Sequence, residues 1–566
     1  NKMKHQHKYI FVIGGVMSGV GKGVTASSIA KILKARGFRV NPLKIDPYLN
    51  VDAGTMNPIE HGEVFVLDSG LETDQDMGNY ERFLDQSLPP ENYMTSGMVY
   101  KHVIDKERAL GYGGRCVDPV PYICEEIHRR IEASRRKTNS DISIIEIGGT
   151  VGEFQNEMFI EAARILKLKN PNSVLFVLVS YLPTPNKIGE MKTKPTQYAV
   201  RSLNSYGVHP DIIIARSDRP LDQKRKEKIA FASNIPADHI ISAPDIESIY
   251  DIPLNFEKDG LSETLLSLLK LKPKTTDLKD WRQMVAKGER AKEIVNIGIV
   301  GKYFRTGDFV LSDVYISVIE SLKHSATALG KKIKIDWLDS GDYELGAGSP
   351  AELKKRFKDL EQYQGLLVPG GFGERGIEGK IKVIEYAREN KIPYFGLCYG
   401  MQLAVIEFAR HVVGLPDAHT TEIKPDTKNP VIDIMPEQKK LMAEKNYGGT
   451  MRLGAYPAHL QKGTIAHDAY KADKISERHR HRFEVNPDYI EQLEKAGLVF
   501  SGKSPNGILM EIAELPKTKH PFFVGTQFHP EFKSTPLNPH PLFYAFIKAA
   551  TLKPMKRRSN ADKNAD

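Results

Sequence analysis

The chain has 566 residues, 40% of them hydrophobic and 27% charged, which suits two large α/β domains better than three or four small ones. No apolar run approaches ~20 residues and the start NKMKHQHK has no apolar segment, so neither a membrane partner nor a leader is expected, and the cytoplasm is the expected compartment. Net charge is +9, but Lys2, Lys4, Lys8 and the tail from Thr551 supply most of it, so the nearly neutral body argues against a nucleic-acid partner.

Tyr9 to Gly15, YIFVIGG, reads as a buried parallel strand. Gly14 to Ser28, GGVMSGVGKGVTASS, follows and nearly matches a phosphate-binding loop, G-x-x-x-x-G-K-[ST]. Gly15 stands one residue too far from Gly21-Lys22, and Gly23 replaces the metal-binding hydroxyl. Ala26, Ile29, Ala30 and Leu33 recur at helical spacing, Gly37 supplies a stop, and FRVNPLKID reads as a second strand. This βαβ unit presents a helix N-terminus to an anion. Strand-like runs continue at ISIIEIGG (142–149), SVLFVLVSYL (173–182) and DIIIARS (211–217), the alternation of an α/β fold with a mostly parallel sheet.

The stretch 271–293 is polar and highly charged, as an interdomain linker would be. A second strand series begins at VNIGIVGKY (295–303) and runs through KIKIDWLDS, GLLVPGGFG, IPYFGLCYG and FFVGTQFHPEF. The expected division is therefore two doubly wound domains, 1–272 and 294–552, a linker at 273–293 and a disordered tail at 553–566.

Three cysteines, Cys116, Cys124 and Cys398, lack metal-ligand spacing and suit a reduced compartment. Cys116 and Cys124 read as inert thiols. Cys398 sits where a strand turns into a helix, near the helix N-terminus, a position that exposes a side chain and favours thiolate. A lone cysteine is more often a small buried hydrophobe. The motif QFHPEF turns that reading, because Glu531 can orient the His529 imidazole while its other nitrogen takes the thiol proton. Gly370-Gly371 in VPGGFG can turn backbone N–H groups toward an oxyanion.

GLCYGMQ, QFHPEF and VPGGFG, in this order, resemble class I glutamine amidotransferases, which release ammonia from glutamine through a thioester. The resemblance implies a triad of Cys398, His529 and Glu531, with glutamine bound by Gly371, Tyr399, Gly400, Met401, Gln402, Glu422 and Arg482. Taken alone, RHRHRFE (478–484) reads as a solvated basic strand.

KIDPYLNVDAGTMNPIEHGEVFVLDSGLETDQDMGNYERF and KTKPTQ resemble the CTP synthase family over residues 8 to 550. In that family ATP phosphorylates the 4-oxygen of UTP and ammonia displaces the phosphate. The resemblance implies ATP binding by Gly19, Val20, Gly21, Lys22, Gly23, Val24, Lys44, Asp76 and Arg216, with Asp76 and Glu146 holding Mg²⁺. Carboxylates from two segments would free the loop of its hydroxyl, and Gly23 would let backbone approach phosphate. Without the resemblance, Asp76 reads as a loop acid and Glu146 as a strand end. UTP or CTP would be held by Ser18, Lys192, Thr193, Lys194, Pro195, Thr196, Gln197 and Lys228, a stretch that otherwise reads as a charged loop.

His61 would gate ammonia, and Arg375 would serve activation by GTP. Many family members carry Asp-Ile-Glu where this chain has Glu153, Phe154 and Gln155, the segment that helps bind product CTP. A homotetramer assembled on nucleotide, able to form filaments, is also implied. Two other readings are open: a different P-loop amidoligase, which would lack KTKPTQ, and a non-catalytic nucleotide-binding scaffold, which an intact Cys398, His529, Glu531, Lys22 and Asp76 disfavour.

Overall fold

The computed structural model describes residues 6–185, 189–275, 277–301, 305–306, 309–310, 312–371, 376–434 and 451–554. The expected disordered tail falls outside these residues from 555 onward, as does Arg375. Two compact units emerge: residues 1–56 with 73–285, and residues 57–72 with 286–566. The second unit thus takes in a segment that lies inside the stretch 1–272. The charged stretch at 273–293 carries a helix, Lys279–Arg290, rather than a bare linker. Its reason is Trp281, which is buried against Tyr250 and Phe83 and donates its indole N–H to the Tyr250 carbonyl at 2.8 Å. A sparse apolar stripe anchors the helix although its composition is polar.

The first unit is built on a parallel sheet of β1 (Lys8–Gly14), β2 (Val40–Asp46), β3 (Tyr93–Thr95), β4 (Ile142–Ile147), β5 (Val174–Tyr181), β6 (Ile212–Ser217) and β7 (Ile240–Pro244). Their spatial order is β3-β2-β4-β1-β5-β6-β7, with every pairing parallel. β2 and β4 are buried at every residue, as central strands covered on both faces should be, although β2 also carries Asn41, Lys44 and Asp46. Helix α1 (Lys22–Ala35) leaves the phosphate-type loop through Gly21, whose φ of +83° is left-handed and suits glycine. α2 (Asp76–Leu84) and α3 (Lys194–Ser205) complete the surroundings of the loop and of KTKPTQ. Lys194, Pro195, Thr196 and Gln197 therefore open a helix, where the stretch alone suggested a loop.

The second unit carries β8 (Ile294–Gly301), β9 (Lys332–Asp339), β10 (Gly365–Val368), β11 (Tyr394–Leu397), β12 (Arg452–Leu460), β13 (Lys474–His481), β14 (Val499–Lys503), β15 (Met510–Glu514) and β16 (Phe523–Thr526). The order is β9-β8-β10-β11-β16-β15-β14-β12-β13, parallel from β9 to β16 and antiparallel from β16 onward. β11 runs into α4 (Tyr399–Phe408), and β16 runs into the QFHPEF turn, so two neighbouring parallel strands deliver Cys398 and His529 to the same sheet end. Ligands gather at such carboxyl ends in open α/β sheets. No helix among the described residues is long and apolar enough to cross a membrane.

Candidate active site

In the first unit the sheet register builds the charged centre. Lys44 on β2 stands opposite Glu146 on β4. The Lys44 ammonium donates to Asp76 Oδ2 at 2.5 Å and Glu146 Oε1 at 2.8 Å, with Asp46 and Asp74 at 3.7 and 3.8 Å. Tyr80 donates to the second Glu146 oxygen, and Tyr93 donates to Asp46 Oδ2 at 2.8 Å. Burial alone would push Lys44 down, but the carboxylates outweigh it and hold it well above its ordinary value. Burial likewise opposes the ionised form of Asp76, yet Lys44 draws that carboxyl below the usual range. Burial raises Glu146.

The Lys22 ammonium donates to the Gly149 carbonyl at 2.9 Å, and burial lowers its pKa. Gly23 has a different reason from close approach to phosphate alone: a Cβ there would lie 1.9 Å from Asp76 Oδ1. The missing hydroxyl and the Asp76 carboxylate compete for the same space, and the carboxylate occupies it. A Cβ on Gly21 would fall 2.5 Å from an Arg216 nitrogen, and Arg216 also donates to the Val20 carbonyl at 3.2 Å and to Asp245 at 2.8 Å. Gly19, at φ +73°, and Ser18 lie on the exposed part of the loop, while Val20 is buried and Val24 lies in the first turn of α1.

The residues expected at UTP or CTP are more dispersed. The Lys192 ammonium donates to Glu190 at 2.6 Å, and Lys228 is exposed. Thr196 is buried with its hydroxyl on Ser180 at 2.8 Å, and Gln197 donates to the Thr193 hydroxyl at 3.2 Å. Among the described residues no hydrogen bond or ion pair joins this group to Lys22 or Lys44. Phe154 is 86% exposed, and Gln155 donates to Glu153 at 2.7 Å.

The second unit holds the candidate nucleophile, Cys398. Cys398 has φ 49° and ψ −97°, an unfavourable backbone for a non-glycine residue, and its N–H donates to the Thr526 carbonyl at 2.6 Å, binding the elbow to β16. Gly400 permits the turn, because a Cβ there would meet the Val368 carbonyl at 2.2 Å. The His529 Nδ1 bonds Glu531 Oε1 at 2.7 Å, while its Nε2 has no hydrogen-bond partner among the described residues. Burial pulls His529 down, but Glu531 and then Cys398 outweigh it and push the imidazole up to about 10. Phe532 stacks on that ring, 5.2 Å between centroids.

A cavity of about 410 Å³ opens here, lined by Gly370, Gly371, Cys398, His529 and Glu531, together with Arg480 and with Asn57, Pro58, Glu63 and Val64. Of the expected glutamine residues only Gly371 lines it. Tyr399, Gly400, Met401 and Gln402 are buried in the first turn of α4, and Glu422 and Arg482 lie outside the lining. Arg480, Gln527 and the 57–64 wall were not singled out in the sequence. Arg480 and Gln527 sit inside quoted motifs, RHRHRFE and QFHPEF, where β alternation could have marked Arg480. The wall had no local signal: the Glu63 carboxylate accepts from the Ser317 backbone N–H at 3.2 Å and from the Ser317 hydroxyl, and Arg478 donates to Asp68 at 2.6 Å. His61, between these lining residues, is half-buried and does not line the cavity.

The comparisons with known proteins decide the family. A "CTP synthase N-terminus" family model matches residues 8–271, and a "Glutamine amidotransferase class-I" model matches 310–549. The CTP synthase of Pyrococcus abyssi is 51% identical over 545 residues, covering 96% of this chain and 98% of that protein. The chain belongs to the CTP synthase family. The CTP synthase of Methanocaldococcus jannaschii is 48% identical over 544 residues, covering 96% and 98%. The Trypanosoma brucei CTPS glutaminase domain with bound acivicin is 37% identical, covering 47% of this chain and 98% of that one, with a TM-score of 0.41. As a CTP synthase family ligase, the chain converts UTP to CTP with glutamine as the nitrogen source.

Proposed function

We propose that the reaction is divided between the two units, each performing the chemistry its own residues are placed for. The observation that carries this reading is the Cys398 elbow facing the His529 and Glu531 pair across one cavity, in a chain whose other unit has a phosphate-type loop. Cys398 attacks the carboxamide carbon of glutamine as thiolate, favoured by the imidazolium beside it. His529 gives its proton to the departing ammonia and then activates the water that frees glutamate, while Glu531 holds the ring. The Cys398 elbow and Gly370-Gly371 offer N–H groups to the oxyanion. Gly371, Tyr399, Gly400, Met401, Gln402, Glu422 and Arg482 hold glutamine, and the ammonia passes by His61 to the nucleotide site.

In the first unit, Gly19 to Val24, Lys22 and Lys44 hold ATP phosphates, with Arg216 at the adenine end. Ser18, Lys192 to Gln197 and Lys228 take the triphosphate of UTP, and Glu153, Phe154 and Gln155 serve CTP. The γ-phosphoryl moves to the UTP 4-oxygen, turning a poor leaving group into phosphate, which ammonia displaces; the net exchange is ATP, UTP, glutamine and water for ADP, phosphate, CTP and glutamate. The donor set fits Mg²⁺, since Asp76 and Glu146 are hard oxygen ligands that already converge on one cationic nitrogen, that of Lys44. Bound there, the ion would neutralise phosphate charge during transfer. GTP activation through Arg375, a homotetramer able to form filaments, and the cytoplasm, where the three free cysteines stay reduced, complete the reading and rest on the resemblance.

ADP release measured with UTP against other carbonyl acceptors, with glutamine present, tests the assignment. Release should require UTP, and equal release with a carboxylate acceptor would favour a different amidoligase.

A further inference from the structure

Gln527, immediately after β16, is fully buried and donates through Nε2 to Cys398 Sγ at 3.7 Å. The same residue binds its own backbone N–H to the Glu511 carbonyl at 2.8 Å, so its position is set by β15. Its side-chain orientation is set separately. Gln402 Nε2 donates to the Phe483 carbonyl at 2.9 Å and to Gln527 Oε1 at 3.3 Å. A backbone carbonyl can only accept, so the Gln402 amide must present its nitrogen on that side, and Gln527 must answer with its oxygen. That leaves the Gln527 N–H₂ end facing the sulfur. Gln402 Oε1 is left without a partner, which is the consequence of turning its nitrogen to both acceptors.

Another polar neighbour of the sulfur, besides His529, is a carbonyl, that of Arg480 at 3.9 Å, which can accept from a thiol and repels a thiolate. The two neighbours thus have opposite preferences. Gln527 rewards the ionised sulfur, since a hydrogen bond to a charged acceptor is stronger than one to a neutral acceptor.

We propose that Gln527 is a positioning residue of the glutaminase reaction, which holds the Cys398 thiolate in place by an N–H donor whose direction is dictated by Gln402 and the Phe483 carbonyl. His529 takes the thiol proton, and Gln527 donates to the sulfur that results. No proton leaves Gln527. Gln402, expected at the bound glutamine, therefore has an additional duty toward the nucleophile. The inference rests on Cys398 being the nucleophile.

The test uses the full chain and Gln527→Glu, which keeps the acceptor Gln402 needs but turns a carboxylate oxygen toward the sulfur. Alkylation of Cys398 by iodoacetamide is followed against pH by mass spectrometry of its peptide, beside glutamine-dependent and ammonium-dependent CTP formation. The acid limb of alkylation should move up by about one pH unit or more. The glutamine-dependent kcat should fall at least about tenfold with KM nearly unchanged, while ammonium-dependent synthesis persists. Gln527→Leu, which removes the donor without adding charge, should move the limb the same way by less. A folded variant of either kind, judged by circular dichroism, whose alkylation profile superimposes on the parent or moves down overturns the proposal. Glutamine hydrolysis surviving in Cys398→Ala would instead overturn the nucleophile assignment, so the two failures are distinguishable.

Discussion

The two units each bury opposed charges near the carboxyl end of a parallel sheet, yet they leave those charges in different states. In the first, Lys44 is shared among Asp76, Glu146, Asp46 and Asp74, and Tyr80 and Tyr93 donate to further oxygens, so these carboxylates are engaged by groups of the protein itself. In the second, Glu531 engages one His529 nitrogen, and Nε2, a Glu531 oxygen and the Gln402 oxygen have no hydrogen-bond partner among the described residues. Unpaired buried polar atoms are costly and persist where a ligand or reaction answers them. On the proposed division of labour, the Cys398 cavity leaves buried polar atoms open to a ligand, whereas a ligand at Lys44 would have to exchange existing contacts for its own.

The largest effect is expected from Cys398→Ala. Glutamine-dependent CTP formation should disappear, a loss of about 10³-fold or more, while added ammonium still supports synthesis. Loss of both routes in a folded variant would end the division of labour.

Asp76→Asn should break the other side of the comparison. CTP formation from glutamine and from ammonium should fall together by about 10²-fold or more, with basal glutamine hydrolysis surviving. Gly23→Ala should act in the same direction, since the Cβ would displace the Asp76 carboxylate. Normal ammonium-dependent rates in either variant would remove Asp76 from the phosphoryl site.

Glu531→Gln sharpens the contrast through pH. His529 is raised from 6.5 to about 10, so its partnership contributes stability that is full below pH 6.5 and is lost as pH rises through about 10. Thermal unfolding of the parent should weaken across that window. The variant should show a flatter dependence, with glutaminase activity reduced by about tenfold or more; an unchanged pH dependence would detach Glu531 from the imidazole.

The smallest effect concerns feedback. CTP inhibition should persist but be weaker than in relatives with Asp-Ile-Glu, because neutral Gln155 loses a charge-assisted bond to a ribose hydroxyl. Gln155 also spends a donor on Glu153. Restoring Phe154→Ile with Gln155→Glu should tighten the inhibition constant by about threefold to tenfold, a change of about 1 kcal/mol. An unchanged or weaker constant in CTP titrations counts against this segment.

Much of this molecule was determined by local pattern. The βαβ opening, the Cys398 elbow and the His529 and Glu531 spacing follow from short-range geometry, because strand-to-helix turns and an i, i+2 relation need only a few residues. Composition alone did not show the helix Lys279–Arg290, which one buried tryptophan anchors within a polar stretch. Tertiary structure alone decided why position 23 is glycine, since the carboxylate that excludes a side chain comes from residue 76. It also decided that Lys44 faces four acids, that Asn57, Pro58, Glu63 and Val64 line the Cys398 cavity, and that Gln527 turns its N–H to sulfur. Each of these joins side chains far apart in the chain, and only sheet register and packing bring such groups within hydrogen-bond reach.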